Sequence, residues 1–378
     1  MLNSITLPLD SPIIREFRKP LSSQNQELYA LGKLGCYDTH TLFYDFFLSA
    51  DRKEVIAIAP PYLNLKNLLS EVKIKLLPSG SFFPLNPLMT HKKVQILRAK
   101  LTEPLSINNS HNAEVHLNNG ITYRIELSSP EILYKTAIVT IQKNNRIRWI
   151  KDWISYYKVA LGVEHVFIYD NNSDYQKSLQ DEVGNSATII PWNFPYGVYS
   201  RSGNKFCQVG ALNHFKYRYG SSCKAIFNFD IDELLRFEDL DIKNRAMTRS
   251  LLRYSGFSVP FIKPESHDYS FVDYKKRNIH PQSGGQKYSV PGNMAGVMDV
   301  HTFDPTPKWW HCLTPKSFIH GPVVDSDKAS FLHYKGITLN WRQGNRLDTS
   351  IADNENTVDE RGISDFFNSF KLKKDSPG

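Results

Sequence analysis

The stretch Ala225-Ile226-Phe227-Asn228-Phe229-Asp230-Ile231-Asp232-Glu233 decides the fold that we expect for this chain. It begins as a short, mostly apolar run, which is typical of a strand buried on both faces of a parallel sheet. Two aspartates spaced one residue apart follow at once. Ligands in open α/β sheets bind beyond the carboxyl ends of the strands. The sequence therefore predicts that Asp230 and Asp232 lie at a binding crevice.

A βαβ unit precedes this stretch. Residues 136–141 form an apolar run that predicts a buried strand, and apolar residues recur at helical spacing over residues 147–161. Residues 166–169 predict a second strand. Polar clusters follow both strands, at 142–145 and 170–174, in the same position as the aspartate pair. We expect the three clusters to meet at one crevice.

These clusters favour contacts with a nucleotide. A carboxylate such as Asp170 can accept hydrogen bonds from ribose hydroxyls or a base N–H, although an Asx-turn that closes the strand is the structural alternative. Three basic residues near the first strand could bind phosphate: Lys143, Arg146 and Arg148. Residues 201–214 have the spacing of a helix that runs beside the crevice. The predicted contacts are Gln142, Lys143, Asn144, Arg148, Tyr169, Asp170, Asn171, Lys205, Gln208, Asp230 and Ile231.

The aspartate pair predicts a metal site. Two neighbouring carboxylates after a buried strand can hold a hard divalent cation, which would also bind pyrophosphate oxygens and neutralise a departing diphosphate. His333 follows an apolar segment and is the preferred third ligand, with His311 and His320 as alternatives. The structural alternatives are a plain surface turn for the aspartates and a hydrogen-bonded core residue for the histidine.

The region after the aspartates contains the candidates for a catalytic base. Its pattern is irregular and rich in Pro and Gly over residues 260–322, which predicts loops that bind an acceptor. A base that takes a proton from an acceptor hydroxyl is most often a carboxylate in such a site. At most one of three residues would serve: Glu265, Asp268 or Asp299.

The first third of the chain has a different character. Residues 54–59 and 72–76 have strand patterns, and Asn119-Gly120 marks a tight hairpin between two further strands. After Ser128-Ser129-Pro130 the pattern changes to apolar strands that alternate with helices. We therefore predict an α/β chain with a smaller β-rich domain in front. The predicted divisions are a β-rich domain at 1–130, an α/β domain at 131–347 and a polar tail at 348–378.

Composition narrows the class of partner. A formal charge of +8 favours acidic partners such as a nucleotide, but the basic residues are scattered, which argues against nucleic acid. The four cysteines form no CxxC pair, which favours a reducing compartment. The sequence shows no signal-peptide pattern and no run of about 18 uncharged apolar residues of the kind a spanning helix requires. We expect a cytoplasmic protein, and its basic surface is compatible with a peripheral position at the inner face of a membrane.

Residues 135–346 resemble glycosyltransferase family 92 and its bacterial relatives in the GT-A superfamily. The family's strand with its Lys-Asn-Glu turn and Glu-Trp helix, its Tyr-Asp-Asn-x-Ser loop, its Asp-x-Asp-Glu motif and its late His-Tyr correspond in turn to 141–145 with Asp152-Trp153, 169–173, 230–233 and His333-Tyr334. Asn145 and Asp152 depart from the pattern, since the family usually has Glu at both positions. The second departure keeps a carboxylate.

The resemblance implies a GT-A, Rossmann-like nucleotide-diphospho-sugar transferase domain that uses a UDP-sugar donor and Mn²⁺ (or Mg²⁺). It implies metal ligation by Asp230, Asp232 and His333, and inversion at the sugar carbon. A hexosyltransferase acting on a glycan or glycolipid acceptor is expected. Animal members carry a membrane anchor, for which this sequence has no candidate segment, so bacterial surface-polysaccharide synthesis is the nearer analogy.

Two other classes of protein remain as alternatives. A nucleotidyltransferase shares the sheet and the metal aspartates, but it usually has a glycine-rich phosphate loop after the first strand, and residues 142–145 contain no glycine. A non-catalytic glycan-binding protein would keep the fold with an inactive site. Manganese-dependent binding of UDP would argue against the latter class.

Overall fold

The computed structural model describes residues 2–7, 18–19, 37–106, 111–130, 133–197, 205–259, 269–274, 276–305, 321–338, 357–359, 363 and 365–367. The chain divides into two compact units. The N-terminal unit comprises residues 1–133, 194–222 and 295–299, and the α/β unit comprises 134–193, 223–294 and 300–378. The domain boundaries inferred from the sequence stay a prediction.

The described elements are mostly strands. The strands are β1 Ile5–Thr6, β2 Thr41–Phe43, β3 Asp45–Leu48, β4 Glu54–Ala59, β5 Lys73–Leu76, β6 Phe82–Pro84, β7 Asn86–His91, β8 Val94–Lys100, β9 His111–His116, β10 Thr122–Leu127, β11 Thr136–Gln142, β12 His165–Asp170, β13 Thr188–Pro191, β14 Ala225–Asn228, β15 Glu233–Phe237, β16 Leu252–Val259, β17 Lys276–Asn278, β18 Gly285–Val290, β19 Gly296–Met298, β20 Phe303–Pro305, β21 Ala329–Tyr334 and β22 Thr357–Asp359. The helices are α1 Lys66–Leu69, α2 Ile147–Ser155, α3 Gln176–Val183, α4 Phe206–Arg218 and α5 Leu240–Ala246. Short 3-10 turns lie at Leu63–Leu65, Gly184–Ser186 and Phe271–Asp273.

The N-terminal unit contains two four-stranded antiparallel sheets, ordered β10-β9-β5-β6 and β3-β4-β8-β7. The predicted hairpin is present, because β9 and β10 pair antiparallel and Gly120 has a φ of 84° in the turn. Helix α4 belongs to this unit and is buried along almost its whole length. Two of its polar side chains share a buried partner, since Asp45 accepts hydrogen bonds from His214, at 2.8 Å, and from Arg218.

The α/β unit is built on an eight-stranded sheet ordered β13-β12-β11-β14-β18-β16-β21-β15. The first four strands run parallel, in an order that open nucleotide-binding sheets share. All residues of β11 are buried, as a parallel strand covered on both faces requires. The mixed α/β class is confirmed, and the assignment to GT-A stays a proposal.

The sequence pattern does not predict the second half of this sheet. The expectation of loops over residues 260–322 is wrong for 285–290, which form β18 and pair with β14 and β16. Strand β18 has no long apolar run, and its partners are distant in sequence, so no local pattern predicts it. Strand β15 forms one edge of the sheet and pairs with β21.

Helix α2 covers the sheet with Trp149, Ile150, Trp153 and Ile154, all in the core. It continues as a π-helical turn, Tyr156–Leu161, and ends at Gly162, whose φ of 79° is left-handed. None of the helices in the described ranges has both the length and the apolar character that crossing a membrane requires.

Candidate active site

The Asp-x-Asp segment is a tight turn between β14 and β15. The Glu233 amide donates to the carbonyl oxygen of Asp230 at 2.9 Å, which closes the turn. Ile231 is buried in the core and anchors it. The Tyr334 amide donates to the carbonyl oxygen of Asp232 at 2.7 Å and ties the turn to β21. Both aspartates are therefore held where the sequence predicted them, just beyond the end of β14.

Asp232 and His333 form a contact within this turn region. An Asp232 carboxylate oxygen lies 3.4 Å from His333 Nε2, because the ladder between β15 and β21 pairs Glu233 with His333. His333 Nδ1 lies 3.1 Å from the carbonyl oxygen of Gly284, which orients the ring. Burial disfavours the charged form of both groups. The charge of His333 nevertheless holds the pKa of Asp232 below its ordinary value, and the charge of Asp232 holds the pKa of His333 above its ordinary value.

Asp230 has a different partner. Lys287 Nζ lies 3.2 Å from an Asp230 carboxylate oxygen and 3.0 Å from a Glu233 carboxylate oxygen. The Asp230 amide donates to the same Glu233 carboxylate at 2.8 Å. Burial disfavours the charged form of Lys287, but the two carboxylates raise its pKa above the ordinary value. Burial also raises the pKa of Glu233 to about 7, although Lys287 works against that shift.

Aromatic side chains of α2 and its π-helical turn hold the backbone under this site. Strand β15 is an edge strand, so Glu233 and Leu235 direct main-chain groups away from β21. The Glu233 carbonyl accepts from Trp153 Nε1 at 3.2 Å and from the Tyr157 hydroxyl at 3.0 Å. The Leu235 amide donates to that hydroxyl at 3.1 Å. The helix thereby completes the hydrogen bonding of the sheet edge that carries the acidic turn.

Asp170 stands at the end of β12 and is fully buried. Its carboxylate accepts from Gln142 Nε2, from the Ser173 hydroxyl at 2.6 Å, from the Ser173 amide at 3.0 Å and from Gln176 Nε2 at 2.6 Å. This is the Asx-type closure of the strand that was the structural alternative. The network joins the polar segments after β11 and β12, as expected for neighbouring parallel strands.

Basic and aromatic side chains lie at the start of α2. The Arg146 guanidinium lies 4.9 Å from the Trp149 ring centroid and 5.0 Å from that of Tyr269, a cation–π arrangement. Arg148 Nη2 is 3.4 Å from the Ser270 hydroxyl. Trp149 is buried and donates to the carbonyl oxygen of Tyr269 at 2.8 Å. This group fixes the segment at residues 269–270 against the helix.

A family model, glycosyltransferase family 92, matches residues 139–358, which is more than half of the chain. The chain belongs to glycosyltransferase family 92. It is therefore a glycosyltransferase, and the matched segment contains the Asp-x-Asp turn, Lys287 and His333.

Other comparisons add little to the family assignment. No curated protein matches the chain. Among solved structures it is similar to a pullulanase complexed with maltotriose from Anoxybacillus sp. LM18-11, with 9% identity and a TM-score of 0.17. That likeness covers 22% of this chain and 12% of the pullulanase chain, and it carries no argument about fold or function.

Several predicted residues of this glycosyltransferase have partners other than the Asp-x-Asp turn. Lys205, Gln208 and Asp299 belong to the N-terminal unit. There the Tyr196 hydroxyl donates to Gln208 Oε1 at 2.6 Å, and Asp299 pairs with Lys93 at 2.6 Å. Tyr169 is buried, with its ring 5.2 Å from that of Trp192, and the Asn171 side chain donates to the Trp192 carbonyl at 2.7 Å. Glu265, Asp268, His311 and His320 lie outside the described residues.

The remaining predicted contacts are near the network of Asp170. Gln142 takes part in it, and the Asn144 amide donates to the Ser173 hydroxyl at 2.8 Å. Lys143 is half-buried in the same turn. The donor contacts of these residues stay a prediction.

The family-92 chain also has site residues that the sequence did not reveal. Lys287 is buried beside Asp230 and Glu233, and the carbonyl oxygen of Gly284 orients His333. A lysine inside a strand gives no sign of the face it occupies, so only pairing could place it. Within the described ranges, no three His, Cys, Asp or Glu side chains are already gathered for a metal ion. Asp230 is held by Lys287, while Asp232 and His333 form the preassembled pair.

Proposed function

We propose that this glycosyltransferase transfers a sugar from a UDP-sugar to a glycan or glycolipid acceptor, using Mn²⁺ or Mg²⁺ at the Asp-x-Asp turn. The contact between Asp232 and His333, next to the partly exposed carboxylate of Asp230, is the observation that supports it. Carboxylate oxygens and an imidazole nitrogen are donors that manganese accepts. The chemistry of this donor set therefore fits the ion that the family implies.

Asp230, Asp232 and His333 would hold the ion, which supplies positive charge to a departing nucleoside diphosphate. The chain's own contribution is orientation. The Gly284 carbonyl binds His333 Nδ1, so that Nε2 faces Asp232. Metal-ligating histidines are commonly fixed by such a bond to the other ring nitrogen. The proton shared between Asp232 and His333 would have to leave as the ion binds.

The nucleoside would lie over the polar segments after β11 and β12, in a GT-A fold. In this proposal Asp170 shapes the pocket through its internal hydrogen bonds. Half-buried Lys143 and Arg148 are the phosphate candidates. Inversion at the sugar carbon requires a base, for which Glu265, Asp268 and Asp299 remain the candidates. Surface-polysaccharide synthesis at the cytoplasmic face of a bacterial membrane is the proposed setting.

A screen of UDP-sugars tests the proposal. Purified protein is incubated with each UDP-sugar and a glycan mixture, with Mn²⁺, with Mg²⁺ and with EDTA, and release of UDP is measured. We expect turnover of one donor that EDTA abolishes and added Mn²⁺ restores. Activity that is indifferent to EDTA would contradict the metal-dependent mechanism. The anomeric configuration of the product, read by NMR, decides between inversion and retention.

A further inference from the structure

The buried ammonium group of Lys287 contacts two carboxylates of the acidic turn, residues 230–233. Its side chain is 0% exposed, whereas the side chain of Asp230 is 34% exposed. Lys287 therefore cannot touch a ligand that arrives from solvent. Its influence on the site has to pass through the carboxylates that it contacts, Asp230 and Glu233.

These contacts fix Asp230 from two sides. Its amide donates to the Glu233 carboxylate at 2.8 Å, and its Oδ2 lies 3.2 Å from Lys287 Nζ. Glu233 is itself 2% exposed, and its main-chain carbonyl is held by Trp153 and Tyr157. A buried lysine is tolerated when carboxylates compensate its charge. The same compensation removes the rotational freedom of Asp230.

We propose that Lys287 is a positioning residue: it pins Oδ2 of Asp230 before any ligand arrives and leaves Oδ1 to the donor–metal complex. This inference rests on the proposed function. It assigns the acidic turn two parts. Asp232 and His333 form the pair that meets the ion, and Asp230, Lys287 and Glu233 form a braced group that presents one carboxylate oxygen. Ordering a side chain in advance is worth roughly 3- to 10-fold in affinity.

The test measures UDP binding by calorimetry at saturating Mn²⁺. The double variant Lys287→Met/Glu233→Gln removes one positive and one negative charge, so the net charge of the turn stays constant. Gln at position 233 can still accept from the Asp230 amide. The matched control is Lys151→Met/Glu182→Gln, the same chemical change at an ion pair whose two side chains are each 46% exposed. We expect UDP to bind about 3- to 10-fold more weakly to the first variant, and the control to be unchanged.

A cycle with Asp230→Asn separates positioning from a general loss of structure. If Lys287 works through Asp230, the double change causes little further loss in an Asp230→Asn background. An equal loss in both backgrounds, or no loss in the folded double variant, overturns the inference. Should that variant fail to fold, Lys287→Gln replaces it with the same expected loss. If the wild-type protein binds no UDP in the presence of Mn²⁺, the proposed function is contradicted as well. If the wild type binds UDP tightly and the variant binds it equally well, only this inference is contradicted.

Discussion

His333 Nε2 lies 3.4 Å from a carboxylate oxygen of Asp232. Asp232 lies in the turn before β15, and His333 lies on β21, the strand that pairs with β15. The contact therefore depends on strand pairing rather than on proximity along the chain. An imidazole and a carboxylate at this distance can share a proton or exchange it for a metal ion.

Asp232→Asn should abolish tight Mn²⁺ binding. The change keeps the shape of the side chain but removes the charge that the ion requires, so we expect a loss larger than the about 10–100-fold caused by losing an outer-shell partner. Mn²⁺ affinity is measured by electron paramagnetic resonance of the free ion. Asp239→Asn is the control, because Asp239 caps α5 and accepts from the Asp241 and Ile242 amides. Equal affinity in wild type and Asp232→Asn would contradict the assignment of this ligand.

Gly284→Ala should disturb the orientation of His333. A Cβ at position 284 would lie 2.9 Å from the Gly256 carbonyl carbon and 3.0 Å from that of Phe257, so the backbone has to move. The Gly284 carbonyl that binds His333 Nδ1 would move with it. We expect Mn²⁺ affinity to fall about 10–100-fold, as for loss of an outer-shell partner.

The control for this change is Gly184→Ala in the same unit. Its added Cβ meets no atom within 4 Å, although its φ of 54° makes the substitution locally strained. It therefore reports the effect of a modest loss of stability by itself. If both variants bind Mn²⁺ like wild type, the carbonyl does not orient the ligand.

Tyr157→Phe should destabilise the protein more than Tyr156→Phe does. The Tyr157 hydroxyl both donates to Glu233 O and accepts from Leu235 N, whereas the Tyr156 hydroxyl donates to Leu235 O at 2.9 Å. Loss of the Tyr157 hydroxyl leaves the buried Leu235 amide without its acceptor, at a cost of about 1–3 kcal/mol. Loss of the Tyr156 hydroxyl should cost about 0.5–1.5 kcal/mol. Urea unfolding measures both, and the reverse order would show that the sheet edge has other partners.

Lys216→Met should stabilise the N-terminal unit below neutral pH. Burial lowers the pKa of Lys216 from 10.5 to about 7. Between these values the unfolded chain binds the proton that the folded chain releases, so wild-type stability rises with pH through this window. Below about pH 7 the penalty is fully present, and the variant escapes it by about 1 kcal/mol or more. The advantage should shrink toward pH 10.

Thermal unfolding of wild type and variant from pH 6 to pH 10 checks this result. Lys100→Met provides the comparison, because Lys100 is exposed at the end of β8 in the same unit. A stability difference that does not vary with pH would mean that Lys216 stays charged in the folded protein.

The strongest predictions from sequence concerned local patterns. Mostly apolar runs identified β11, β12 and β14, because strands covered on both faces are largely apolar along their length. The hairpin at Gly120 was readable from the residues that tolerate positive φ. The hydrophobic period and the residues that form turns depend only on neighbours in the chain, so both can be read directly from the sequence.

Sequence by itself determined that Asp230 and Asp232 follow a buried strand, and that the chain has the motifs of its family. Tertiary structure alone decided which partner each aspartate has: His333 for Asp232 and Lys287 for Asp230. Those partners lie on β21 and β18, strands whose places in the sheet are set by pairing between distant segments. A residue's type is written in the sequence, but the face and register on which it meets another strand are fixed only when the sheet forms.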